Sequence, residues 1–139
     1  MQTISPYMLY EDVEGAMEFL SRAFGFEEVL RYTGGDGYVS HAEMRLGDGL
    51  VYLGDPGDDY RGPNKLGGVT VAITVSVDDA DALYERAKAA GAEITGEPAD
   101  QEYGERRFGA KDPEGHSWWF SHTIKEVAPE DWGATTSAA

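Results

Sequence analysis

Between residues 12 and 25 the apolar side chains recur every three or four positions, at Val13, Ala16, Met17, Leu20, Ala23 and Phe24. That spacing predicts a helix with one apolar stripe, with Asp12 as its N-cap and Gly25 as a left-handed stop. A second stripe, Ala80, Leu83, Ala87 and Ala90, predicts another helix capped by Asp78 and stopped by Gly91. Around each helix the period falls to two. Val69, Val71, Ile73, Val75 and Val77 alternate with small, mostly polar residues, which predicts a strand with one apolar face. Residues 4–10 form its counterpart in the first half. Further strands are predicted at 27–33, 38–46 and 50–54, and again at 92–97, 106–111 and 117–123. Gly34-Gly-Asp-Gly37, Gly47-Asp-Gly49 and Asp112-Pro-Glu-Gly115 supply turns between them.

The two halves are copies. Asp12 falls on Asp78, Ala16 on Ala82, Ala23 on Ala89, Gly25 on Gly91 and Gly49 on Gly115, all at one offset of 66 residues. Each copy reads β-α-β-β-β. The expected organisation is one domain over 1–139. It comprises a first module to about residue 54, a Gly-, Pro- and Asp-rich linker at 55–68, a second module at 69–123 and a C-terminal tail at 124–139, frayed from Pro129 onward. The predicted fold class is α+β, with tandem βαβββ modules forming a curved eight-stranded mixed sheet. Its helices cover the outer face, and its inner face is left as an open cleft, the ordinary place for a ligand.

Composition narrows the function. The chain has 26 acidic against 11 basic residues, a net charge of −15, and no cysteine. Such a charge repels phosphate backbones, so nucleic-acid partners are not expected. Without cysteine there is no disulfide, thiolate nucleophile or zinc–thiolate site. No apolar run reaches the roughly 18 residues of a membrane span. The opening MQTISPYMLYEDVE has neither a basic nor a continuous apolar region of a signal peptide. A soluble cytoplasmic protein is the expectation, with an acidic surface that favours cationic ligands at long range.

Tyr103-Gly-Glu-Arg106, followed by Asp112-Pro-Glu-Gly-His116-Ser-Trp118 and joined to Ala23-Phe-Gly-Phe26 after the first helix, resembles the glyoxalase/bleomycin-resistance branch of the vicinal oxygen chelate superfamily. The resemblance spans residues 4 to about 132. It implies a cleft that holds a small molecule, a homodimer that completes two such clefts, and, in the metalloenzymes of the family, a divalent metal bound by His, Gln or Glu on the first and last strands of each module. This sequence departs from that ligand pattern. Residues 4–10 and 69–77 carry no His, Gln, Asp or Glu, and the family's final Glu falls near Trp119. His41 and Glu43 share a strand face and form a two-ligand fragment, the sole nucleus for a metal. The ordinary reading of such an imidazole is a hydrogen-bonded group on the sheet surface. His116 follows the turn glycine and is expected to fix the turn.

The cleft strands instead offer aromatic rings. Tyr7, Tyr52, Trp118 and Trp119 lie on strands that line the cleft in the family, with Tyr103 and Phe108 on other strands or their rims. Alternation lets only one of Trp118 and Trp119 face inward, and Trp119 is the expected one. Such rings either fill the cleft themselves or stack on planar or cationic groups, each contact contributing roughly 0.5–2 kcal/mol. Arg106 and Arg107 either anchor an anionic group or pair with local acids. Two functions follow from the resemblance. One is a metal-free small-molecule-binding protein like the bleomycin-resistance proteins, with no cofactor and with a planar or cationic ligand. The other is a glyoxalase- or dioxygenase-like enzyme with displaced metal ligands, or a metal-free isomerase.

Overall fold

The computed structural model describes residues 2–137; the final Ala138 and Ala139 of the expected frayed tail lie outside the described residues. In chain order the elements are β1 (Tyr7–Leu9), α1 (Val13–Phe19) running on into a π-helical turn (Leu20–Phe24), β2 (Glu27–Thr33), β3 (Val39–Leu46) and β4 (Gly49–Gly54). There follow α2 (Pro63–Leu66), β5 (Ala72–Ser76), α3 (Ala80–Ala89), β6 (Glu93–Asp100), β7 (Glu105–Lys111) and β8 (Ser117–Thr123). A 3-10 turn at Pro129–Trp132 ends the fold. Among the described residues no helix is long and apolar enough to cross a membrane.

Each module closes its own four-stranded mixed sheet, in the orders β1-β4-β3-β2 and β5-β8-β7-β6. In both, the outer pair is parallel (β1 with β4, β5 with β8) and the other pairs are antiparallel. The single eight-stranded sheet expected from the repeat is therefore corrected to two sheets, with β1 and β5 as free edges. The reason is where the apolar surface lies. Phe24 and Phe26 of the first module reach the helix side of the second sheet, with ring centroids 5.7 and 5.6 Å from Trp118. Phe24 also lies 4.6 Å from Phe120. One core thus runs through the helix sides of both modules, and burying those rings joins the halves without strand pairing.

The starting strands are shorter than their apolar patterns suggest. Pro6 has no N–H to give a ladder, so β1 begins at Tyr7. Val69 and Val71 stay exposed ahead of β5, whereas Ile73, Val75 and Val77 pack on the core. Capping follows the expected chemistry at α1, where the Asp12 carboxylate accepts from Gly15 N at 2.9 Å. At α3 the cap is Asp79, not Asp78; Asp79 accepts from Ala82 N at 3.0 Å, and His122 Nδ1 accepts from Ala80 N at 2.8 Å.

The displaced cap has a physical cause. The N-caps Asp12 and Asp79 are 67 residues apart, whereas the left-handed stops Gly25 and Gly91 are 66 apart. The first helix therefore holds one residue more than the second. A π turn accommodates one residue more than an α turn, and one is present at Leu20–Phe24.

Candidate functional site

Strand alternation gives each sheet a helix side and an open side. On the first sheet, Met8, Ala42, Met44, Val51 and Leu53 are buried, so their neighbours Tyr7, His41, Glu43 and Tyr52 take the open side. The ladder places Tyr7 beside Tyr52, and Tyr52 beside Glu43. The Tyr7 ring lies across Gly54, where an added Cβ would come within 2.5 Å of it. That approach carries the Tyr7 hydroxyl to His41, and the hydroxyl and Nδ1 share a hydrogen bond of 2.9 Å. Tyr52 stands edge-on to Tyr7, with centroids 5.9 Å apart. His41 Nε2 points toward Glu43, with 3.9 Å to its carboxylate.

The second sheet repeats the device with an indole. Trp118 and Phe120 turn into the core, which leaves Trp119 on the open side beside Thr74 and Gly109. Gly109 and Gly96 are both bare beneath its ring: a Cβ at Gly109 would lie 2.7 Å from the indole, and one at Gly96 would lie 3.2 Å from it. The guanidinium of Arg107, two residues along β7, covers the ring at 4.1 Å from its centroid. Tyr7 on one sheet and Trp119 on the other are therefore both half-open aromatic plates laid over glycine.

The remaining expected site residues are placed elsewhere. Trp118 and Phe108 have no exposed surface and lie on the helix side, so neither can touch a ligand in a cleft and their candidacy as ligand-binding residues is corrected. Trp118 Nε1 donates to the buried Asp112, and Phe108 stacks on Phe120. Arg106 faces away from Arg107 and is held by Asp81 of α3 and Asp100 of β6, at 2.9 and 2.8 Å, so it fastens the helix to the sheet. Tyr103 packs edge-on against Trp132 of the terminal turn. The His116 backbone closes the turn by donating to Asp112, whereas its ring reaches β1, Nε2–H donating to the Leu9 carbonyl at 2.8 Å. The stack of Arg107 on Trp119 was not legible from the strand pattern, although glycines inside two strands signal close approach.

The donors do not suit a metal centre. His41 and Glu43 are two ligands, the Tyr7 hydroxyl already engages His41, and among the described residues no group of three His, Asp or Glu could hold an ion. The open-side residues of the first and last strands, Tyr7, Thr74 and Trp119, present no imidazole or carboxylate. A hollow of about 520 Å³ sits elsewhere, among Glu14, Glu18, Glu28 and Arg31. An apolar groove of about 460 Å³ runs beside the free edge of β1, lined by Tyr7, Leu9, Leu66, Val69 and Val71.

Comparison with known proteins places this geometry. The Glyoxalase/Bleomycin resistance protein/Dioxygenase superfamily profile matches residues 4–120. The chain belongs to that superfamily. An uncharacterised protein of Mycobacterium bovis is 34% identical over 140 residues, covering 97% of this chain and 92% of that protein. Among solved structures, TioX from Micromonospora sp. ML1 superposes with a TM-score of 0.72 at 30% identity, covering 89% of this chain and all of TioX. FosX, a genomically encoded fosfomycin resistance protein from Listeria monocytogenes, shares the fold at a TM-score of 0.66 and 16% identity, over 94% of this chain and 97% of FosX. The tandem modules are thus those of the superfamily.

Proposed function

We propose that the chain is a small-molecule-binding protein of the cytoplasm. It holds a planar compound against its open aromatic faces without a metal, as a homodimer in which two chains complete two clefts. The observation that carries this reading is the exposure of the Tyr7–His41–Tyr52 cluster and of the Trp119 plate on sheet faces that the core does not use. The free edges of β1 and β5 and the exposed Leu9, Leu66, Val69 and Val71 beside them favour a second chain as the cover.

The test is threefold. Metal content is measured after incubation with Ni, Zn, Mn and Fe, with less than about a tenth of an equivalent expected in each case. Planar compounds are then titrated while tryptophan emission is followed, with quenching expected. Sedimentation should give twice the chain mass. Near-stoichiometric metal that survives dialysis, or a monomer that binds none of the compounds, overturns the reading.

A second reading rests on the hydrogen bond between Tyr7 and His41 with Glu43 behind it. This relay would make the chain a metal-free isomerase that moves a proton through the Tyr7 hydroxyl. Turnover of a bound compound that is lost in Tyr7→Phe, with binding retained, would establish it.

A further inference from the structure

The net charge of −15 favours cations at long range. At the second open face the charge that lies over the aromatic plate is nevertheless a cation, Arg107. Arg31, Arg106, Lys65 and Lys111 each have a carboxylate within ion-pairing distance. Arg22, Arg61 and Arg86 donate to carbonyls. Arg107 is half-buried, yet among the described residues it has no acceptor within hydrogen-bonding distance and no ion-pair partner. Its cross-strand neighbours are Ala99 and Ser121, both small and uncharged. Glu97 and Glu105, a little further along the strands, form no ion pair with it. A ligand that packs on the Trp119 plate therefore lies against this guanidinium.

The layering orients that guanidinium. Gly96 and Gly109 form the floor, the Trp119 indole lies flat on them, and Arg107 lies on the indole. A guanidinium held over an indole still has N–H groups at its edge, and these can donate two parallel hydrogen bonds to a planar carboxylate. Because the stack already restrains the side chain, less freedom is lost on binding.

We infer that this face is an anion-recognising aromatic subsite: it takes a planar aromatic acid, whose carboxylate is gripped by Arg107 and whose ring packs on the Arg107–Trp119 stack. This deepens the binding function proposed above and rests on it, since it names the ligand class for one of the two open faces.

The full chain is titrated calorimetrically at physiological salt with 2-naphthoate, 2-naphthylmethanol and 2-naphthylmethylammonium, three probes that share a ring system and differ in charge. The naphthoate should bind at least about tenfold tighter than the other two, the scale of one charge-assisted hydrogen bond. Arg107→Gln should abolish that preference while leaving the weak binding of the neutral probe, and Arg107→Lys should restore part of it. The inference is overturned if the alcohol or the ammonium matches the naphthoate, or if the preference survives in Arg107→Gln. If none of the three binds, the broader reading of the open faces as ligand sites fails with it.

Discussion

The hydroxyl of Tyr10 donates to Oδ2 of Asp112 at 2.7 Å, joining residues 102 positions apart in the chain. Both are buried, and the same oxygen accepts from Trp118 Nε1 at 3.2 Å. The other oxygen accepts the backbone N–H groups of Glu114 and His116. The most recognisable motif of the sequence, Asp112 to Trp118, is thus a bolt between the two modules.

Removing the bolt should cost stability far from either open face. Asp112→Ala strands a buried phenol and a buried indole N–H together, for a loss on the order of 3 kcal/mol or more, whereas Tyr10→Phe removes one donor for about 1 kcal/mol. Urea unfolding followed by far-UV dichroism measures both. Equal, small losses in the two variants would contradict the network.

The adjacent tryptophans should behave oppositely. Trp118→Ala opens a cavity against Phe24, Phe26 and Phe120, and a loss of about 3–5 kcal/mol is expected. Trp119→Ala should change stability by no more than about 1 kcal/mol while removing quenching by planar compounds. Denaturation and ligand titration of the two variants, run side by side, separate the roles.

Gly109 sets the height of the Trp119 plate. Gly109→Ala brings a methyl within 2.7–2.8 Å of the indole and of the Thr95 hydroxyl, so the ring must lift from the sheet. The variant should show increased acrylamide quenching of its tryptophan emission and weakened stacking of planar ligands. An unchanged quenching constant would mean that the sheet yields instead.

Alkali should weaken the fold. Burial, and after it the Asp112 carboxylate, pushes the Tyr10 phenol well above its ordinary value of 10.0. A hydrogen bond to Asp55, reinforced by burial, pushes Tyr38 up to about 12. Each native phenol keeps its proton at a pH where the unfolded chain has lost it. The stability these groups contribute is therefore complete below about pH 10 and is lost as pH climbs through the native values. Urea midpoints should fall as pH rises from about 10 toward 12, with a shallower fall in Tyr10→Phe.

The repeat, the helix stripes and the turn glycines were legible in the sequence because they depend on local spacing, as at Val13–Phe24 and at Gly25 and Gly91. The superfamily followed from those elements together with the motif at 112–118. What spacing could not convey is which surfaces meet. Phe108 and Trp118 read as aromatic residues on cleft strands, but their facing depends on strand register, and register here sends them to the core. Arg106 and Arg107 are indistinguishable in sequence, yet adjacent strand positions give one two carboxylates and the other an indole. The separation into two sheets was hidden for a similar reason, because Phe24 and Phe26 show only as apolar positions until the partner ring is placed.

The additional residue in the π turn, Leu20–Phe24, gives the duplication a direction. Deleting one residue there would restore a regular helix but swing the following side chains by about 100° around its axis, taking Phe24 off Trp118 and Phe120. A chain assembled from two copies of the second module would contain every strand and both caps, and would still lack the projecting ring that mates with its neighbour. The halves share one repeat yet meet as plug and socket, so neither can stand in for the other.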